Sequence, residues 1–312
     1  MAERLCAAED ILILCHKNPD GDTIGCASAL CHALEAMDKN AAVLCSDPIP
    51  ERYAYTAARL FKGDFEPRTV VAVDVASIQL FGENNGMPQY TRHVDLCIDH
   101  HAGNSGYADF TLLDGGAAAA AELLYEVILA MGVSITPQIA DCLYTGLSTD
   151  TGCFKYSNVT GNTLRVAAEL IDLGADVAPI NKIFFDTKTF ARLKLEARLT
   201  AGIELYAGGM VGLCTLPQRW IDELLISEDD IDSISGFARS IEGVEIGIMI
   251  REVEGGMGKL SLRTSPRYDA CALCQQLGGG GHAAAAGASV AGGIEGAKKA
   301  ILDVLTQSGI RL

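Results

Sequence analysis

The sequence is short of positive charge: 24 lysines and arginines stand against 40 aspartates and glutamates among 312 residues, a formal net charge of −16. A protein that grips a long polyanion generally needs a continuous basic surface to exchange for counterions. Long nucleic acid is therefore disfavoured as a partner, whereas a small anionic substrate is admissible where bound cations and a few basic side chains reverse the potential locally. Long apolar runs are also missing. The stretch Ile11 to Cys15 is too short to cross a bilayer or form a signal-peptide core, and Glu3, Arg4, Glu9 and Asp10 precede it. A cytoplasmic protein with no membrane partner is the expectation. No disulfide framework is legible, because the eleven cysteines are an odd number set among apolar neighbours, as in Ile13-Leu14-Cys15 and Val43-Leu44-Cys45. Cys271 and Cys274 have the spacing of half a zinc site, but no second pair completes it, and an incidental pair on a helix is the expected reading. Internal repeats and a low-complexity tail are absent too.

What is present suffices for two domains, each with its own core, at 49% hydrophobic content. In the first half, β-rich runs at Ile11 to Cys15, Ala42 to Cys45, Val70 to Val73 and Asp95 to Ile98 alternate with helical patterns. The helices are expected over Thr23 to Met37 with Asp22 as N-cap, Ala117 to Met131, Pro137 to Leu147, and Asn162 to Leu173 ended by Gly174. This alternation predicts an α/β domain with a largely parallel sheet flanked by helices. A helical run over Thr189 to Tyr206 then gives way to Gly208-Gly209. Beyond it, Met210 to Thr215 reads as a strand, and Val244 to Arg251 and Lys259 to Arg263 read as antiparallel strands, before Cys271 to Leu277 and the run GGGGHAAAAG at Gly278 to Gly287. The expected division is a catalytic domain over 1–188, a helical linker over 189–207 and a smaller α+β domain over 208–312.

Four segments deliver acids or histidines to the ends of elements. CHKNPDGD places His16, Asp20 and Asp22 after the first strand, Asp74 follows VVAV, IDHH brings Asp99, His100 and His101, and STDTGCFKY presents Asp150 in a glycine-containing loop after a helix. In a parallel sheet these strand ends are where active sites collect. One aspartate at a strand end is ordinarily a turn former or a cap. Four such segments together, with four of the six histidines (His16, His100, His101 and His282) inside distinctive motifs, are not so ordinary. Asp20, Asp22, Asp74 and Asp150 gathered in one crevice would repel one another and rise in pKa unless cations neutralised them. Two divalent ions would balance four carboxylates. Carboxylate and imidazole ligands without thiolate suit manganese or magnesium better than structural zinc, and the imidazoles tilt the choice to manganese, with cobalt a further candidate. Two ions about 4 Å apart can activate water and stabilise charge on the attacking and leaving oxygens, so hydrolysis of a phosphate ester is the predicted reaction.

In this order, HKNPDGD, VAVD, IDHH, TDTG and GGGGHAAAAG resemble the motifs of the DHH phosphoesterase superfamily with its DHH-associated C-terminal domain, over nearly the whole chain. The resemblance implies that His16 and Asp20 hold one metal, that Asp22, His100 and Asp150 hold the other, and that Asp74 bridges them. It implies that Asp99 supports the histidines and that His101 contacts substrate phosphate, making Asp74, Asp99 and His101 the catalytic group. It further implies that the second domain closes over the crevice, with Arg263, Gly279, Gly280, Gly281 and His282 as substrate contacts and His282 a neighbour of Arg263. Asn104, Lys155 and Tyr156 are secondary candidates; Phe154 and Tyr156 read either as base-stacking residues or, more ordinarily, as core aromatics. Two departures stand out: Cys26 where many members have serine, and Ala117 to Ala121 where serine and threonine are common. Both are expected to stay clear of the metal ligands and to bear on substrate preference alone. Cys153, close to the expected site, is expected to make it sensitive to oxidation.

Chain length and the lack of added modules resemble the compact nanoRNase and pAp-phosphatase type. That type trims very short oligoribonucleotides to mononucleotides and removes the 3′-phosphate of 3′-phosphoadenosine 5′-phosphate. A cyclic di-AMP or pApA phosphodiesterase is the alternative, followed by a manganese pyrophosphatase and a non-catalytic nucleotide sensor. A homodimer is compatible with any of these.

Overall fold

Runs such as ILIL and AAVL are apolar at every position because the strands they form are buried on both faces. In the computed structural model, which describes residues 1–227, 230–231 and 234–311, these runs lie in the first of two units, Met1–Thr187. Its strands are β1 (Ile11–Leu14), β2 (Ala41–Leu44), β3 (Thr69–Val73), β4 (Leu96–Asp99) and β5 (Phe110–Leu113), all paired in parallel in the order β2-β1-β3-β4-β5. The expected α/β class is therefore what forms. β5 escaped the sequence reading because its residues are only partly buried at the sheet edge.

The helices of this unit are α1 (Ala2–Ala7), α2 (Gly21–Glu35), α3 (Met87–Tyr90), α4 (Ala120–Ala130), α5 (Pro137–Asp150), α6 (Gly161–Asp172) and α7 (Val177–Asn181). The chain leaves β1 for β2 on one side and returns to β3 on the other. The order thus reverses between β1 and β3, which opens a crevice outside their carboxyl ends. Strand order also sets β1, β3 and β4 side by side, so the segments that follow them emerge at neighbouring points of one edge.

Helix α2 differs from expectation at its start. Asp20, not Asp22, is the N-cap: it is extended and its carboxylate accepts from the N–H groups of Asp22 and Thr23. Asp22 falls inside the first turn, fully buried, and is released to face another helix. Helix α2 lies directly on α5, where a Cβ on Gly25 would sit 2.4 Å from the Cys142 carbonyl oxygen and 3.0 Å from the Gly146 nitrogen. Because both obstacles are backbone, Gly25→Ala is expected to destabilise the unit by about 3 kcal/mol. A urea midpoint unchanged from the wild type would show that the helices separate more easily than this packing implies.

The second unit, Lys188–Leu312, has α8 (Phe190–Gly202), β6 (Glu204–Tyr206), β7 (Val211–Leu216), α9 (Gln218–Leu224), β8 (Ile246–Val253), β9 (Met257–Thr264), α10 (Ala270–Gln275), β10 (Gly280–His282), β11 (Ala285–Ala291) and α11 (Gly293–Gln307). Its sheet runs β10-β11-β9-β8-β7-β6, antiparallel except for β7 beside β8. Alternating residues divide between two cores. Leu213, Ile248, Leu260 and Leu262 meet Leu273, Ala297 and Ile301 from α10 and α11, while Cys214, Leu216 and Met249 meet Leu195 and Leu199 from α8. Helix α8, expected as a linker, is thus part of the second unit, because its apolar stripe is needed to cover that face of the sheet. No helix among the described residues is long and apolar enough to cross a membrane.

Candidate metal centre

The loop after β1 brings His16 and Asp20, the first turn of α2 brings Asp22, the end of β3 brings Asp74, and the end of β4 brings His100 and His101. Asp150 arrives from α5, as its last helical residue and not in the loop expected beyond it. In the final turns of α5 the Ser148, Thr149 and Thr151 hydroxyls bond back to carbonyls three or four residues earlier. Asp74 adopts a left-handed backbone, φ 58°, a conformation that aspartate tolerates better than most residues and that recurs at functional sites.

Ligand atoms of His16, Asp20 and Asp74 lie within 4.8 Å of one another, as do those of Asp22, His100 and Asp150, and those of Asp74, His100 and His101. His100 Nε2 is 3.2 Å from Asp150, 3.5 Å from Asp74 and 3.9 Å from Asp22; His16 Nε2 is 3.4 Å from Asp20 and 3.7 Å from Asp74. The other ring nitrogens are engaged. His16 Nδ1 meets the Lys17 carbonyl at 2.8 Å and His100 Nδ1 meets the Ala117 carbonyl at 3.2 Å. Each therefore donates from Nδ1, which leaves the Nε2 lone pair turned to the carboxylates, the arrangement a metal-binding histidine requires. Asp74 Oδ1 and His100 Nε2 are buried and make no hydrogen bond. Buried polar atoms are rarely left so, and a cation between carboxylate and imidazole would satisfy both. On that ground these residues fit divalent metal ions.

Asp99 is fully buried and differs from the other acids. It accepts from the His100 N–H at 2.9 Å, the His101 N–H at 3.3 Å and His101 Nδ1 at 2.8 Å, and Asn104 donates to its second oxygen. Its oxygens are occupied, and it orients His101, whose ring is about half exposed. Burial pushes the Asp99 carboxyl up, but these donors, His101 first, outweigh burial and hold it below its ordinary value. Three of the other acids go the other way. Burial, followed by the Asp150 charge, pushes Asp22 up to about 7, and burial with neighbouring carboxylates raises Asp74 and Asp150. For His100 burial disfavours the proton, yet Asp150 and Asp22 prevail and raise it to about 9. Without cations, the cluster keeps protons as its counter-charge.

Both sequence departures touch this centre, contrary to expectation. The Cys26 thiol lies 3.3 Å from Asp22 Oδ1. The N–H groups of Ala120 and Ala121, at the start of α4, donate to Asp22 Oδ2 and Oδ1 at 2.6 and 3.1 Å, and Ala117 supplies the carbonyl for His100. Alanine hid this role because the contacts are main-chain. Gly146 belongs here as well, since a Cβ on it would stand 2.5 Å from Asp22 Oδ1. Of the secondary candidates, Asn104 braces Asp99, Phe154 packs on Tyr144, Lys155 lies over the Phe185 ring and Tyr156 is exposed. Residues 152–154 are all left-handed, including Cys153, which is partly buried.

Arg263, Gly279, Gly280 and Gly281 line one 600 Å³ cavity of the second unit, together with Lys259 and Ser261. The Arg263 guanidinium donates to Ser235 at 3.0 Å. His282, exposed at the end of β10, is not among the lining residues. Cys274 is buried in the core behind and Cys271 packs against it.

A family model for the DHH family, N-terminal domain, matches residues 10–147, and one for the DHHA1 domain matches residues 220–308. The chain is 32% identical to the bifunctional oligoribonuclease and PAP phosphatase NrnA of Thermus thermophilus over 99% of this chain and 94% of that protein. It is 23% identical to the Bacillus subtilis protein of the same name, with 90% of each chain covered. Among solved structures, an exopolyphosphatase-related protein from Bacteroides fragilis has the same fold, with a TM-score of 0.87, 24% identity, and coverage of 98% of this chain and 94% of that one. The chain belongs to the DHH family.

Proposed function

We propose that this chain is a phosphoesterase that uses two divalent cations, manganese in the first place and magnesium or cobalt in its stead, to cut short oligonucleotides to mononucleotides. It also removes the 3′-phosphate of 3′-phosphoadenosine 5′-phosphate. The observation that carries this reading is the pair of buried, unbonded atoms, Asp74 Oδ1 and His100 Nε2, at the middle of the carboxylate and imidazole cluster. The activities named for the Thermus and Bacillus relatives supply the substrate class. His16 and Asp20 hold one ion, Asp22, His100 and Asp150 hold the other, and Asp74 serves both. When bound, the ions polarise the phosphoryl group and lower the pKa of water at the site.

Asp99 holds His101 with Nδ1 towards the carboxylate, so that Nε2 is the atom free to meet a phosphate oxygen or to protonate the leaving oxygen. Arg263, the glycines 279–281 and His282 are assigned to the rest of the substrate, Arg263 through a bidentate phosphate contact. The negative net charge agrees with a small substrate, and eleven free thiols agree with a reducing, cytoplasmic setting.

Product analysis of the full chain with Mn²⁺ tests the assignment on pApA, 3′-phosphoadenosine 5′-phosphate, a ladder of short RNAs, cyclic di-AMP and pyrophosphate. Turnover of the first three is expected. Preference for cyclic di-AMP would move the assignment to a cyclic-dinucleotide phosphodiesterase, preference for pyrophosphate to a pyrophosphatase, and no turnover with any metal would leave a nucleotide sensor.

A further inference from the structure

We propose that Glu122 and Asn158 are positioning residues: they pin the alanine run 117–121 as a main-chain platform that aims Asp22 and His100, and thereby set the affinity for the cation those two would share. The proposal rests on the metal reading above. Glu122 is 4% exposed, and a carboxylate that deep needs donors to offset its burial. It has three, from two segments, the alanine run and the first turn of α6. Oε1 accepts the Ala118 N–H at 3.1 Å and the Thr163 hydroxyl at 2.7 Å, and Oε2 accepts the Asn162 amide at 3.1 Å. Asn158 Nδ2 donates both to the Ala118 carbonyl and to the Asp150 carbonyl, each at 3.1 Å. Ala118 is thus held through its N–H and its C=O, and by Asn158 it is tied to the end of α5, where Asp150 sits.

The platform has its effect on either side of Ala118. One residue before, the Ala117 carbonyl fixes the His100 ring; two and three residues after, the Ala120 and Ala121 N–H groups grip the Asp22 carboxylate. A shift of this short segment would misdirect both ligands together, since each is oriented by main chain and the His100 ring has no other hydrogen bond among the described residues. Ala118, Ala119, Ala120 and Ala121 are at most 1% exposed, so the small side chain is what lets the backbone come this close. Glu122 touches no candidate ligand itself, which places its influence in the orientation of others.

Titration of the metal-free full chain with Mn²⁺ alone, by calorimetry and by electron paramagnetic resonance, tests this directly. The wild type is expected to take up two ions. Glu122→Ala should bind one normally and the other about 10- to 100-fold more weakly. Glu122→Gln keeps a carbonyl for Ala118 and Thr163 and should return to within about threefold of the wild type. Val166→Ala removes buried volume from α6 and leaves every hydrogen-bonding side chain of the platform in place, and should lower the melting temperature while leaving both affinities intact. Two wild-type affinities in Glu122→Ala, or an equal loss in Val166→Ala, would overturn the positioning role. A wild-type chain that takes up no Mn²⁺ overturns the metal reading itself, and this proposal with it.

Discussion

Replacing Asp74 with asparagine is expected to cut Mn²⁺-dependent turnover of pApA by at least about 1,000-fold and, in the same protein, to raise the stability of the metal-free fold at pH 8. Asparagine matches aspartate in shape, so packing around β3 is preserved. What disappears is the charge that both candidate ligand groups share, within 3.7 Å of His16 and 3.5 Å of His100. A neutral amide cannot balance two dications, so the catalytic loss follows. The gain in stability has the same origin. Asp74 is buried among Asp20, Asp22, Asp150 and Asp99, and its ionisation is opposed first by burial and then by those charges. Removing it relieves on the order of 1–3 kcal/mol of repulsion when no cation is bound. Initial rates and thermal melts in chelator measure the two effects. Turnover close to the wild-type rate would refute the assignment of Asp74, and a lower melting temperature at pH 8 would show that its carboxylate stabilises even the metal-free fold.

The second large effect is a dependence of stability on pH that metal should abolish. In the unfolded chain Asp22 loses its proton near 3.8, whereas in the metal-free fold it keeps it to about 7, and His100, ordinarily near 6.5, stays protonated to about 9. Between these values the folded state binds more protons than the unfolded one, so stability falls as pH rises. The contribution of Asp22 is complete below pH 3.8 and lost as pH passes 7; that of His100 is complete below 6.5 and lost as pH passes 9. Allowing for their coupling to Asp150, the loss from pH 5 to pH 9 is about 2–4 kcal/mol, or roughly 5–10 °C in melting temperature. Divalent ions replace the protons as counter-charge and must displace them to bind. Saturating Mn²⁺ is therefore expected to raise the melting temperature more at pH 8 than at pH 5. A larger gain at pH 5 would mean that the cluster is not the seat of binding.

How much of this was legible in the sequence depended on whether a residue speaks through its side chain. His16, Asp74 and Asp150 could be read, because acids and imidazoles after apolar runs are conspicuous and a parallel sheet collects strand ends on one edge. The helix cap was misassigned between Asp20 and Asp22, since both are good capping residues two positions apart and only the backbone decides. Strand order was out of reach: that β1, β3 and β4 are neighbours follows from crossovers that leave no local mark. The alanine run was misread for a related reason, as its N–H and C=O groups are shared by every residue type. The linker was misjudged because the helical pattern of Thr189 to Tyr206 does not reveal which surface it covers. The GGGGH run was read for its substrate contacts and not as a strand, yet β10 pairs with β11 there, and at Gly279 and Gly281 an added Cβ would fall within 2.6 Å of backbone oxygens.

The strand order has a further consequence for a chain made from its N-terminus. By the time β4 is complete, His16, Asp20, Asp22, Asp74, His100 and His101 all exist. The amides that steady Asp22 lie some twenty residues further on, and Asp150 closes the set only as α5 ends. During synthesis there is accordingly an interval in which the centre of the sheet could assemble around four mutually repelling acids, counting Asp99, with neither the helix terminus that tames Asp22 nor the last carboxylate. A nascent chain of that length would hold at most the His16 and Asp20 half of the site. On the proposed assignment, a pair of ions would be held only once the helical layer has docked, and metal capture would then report the completion of the whole first unit and not of its sheet.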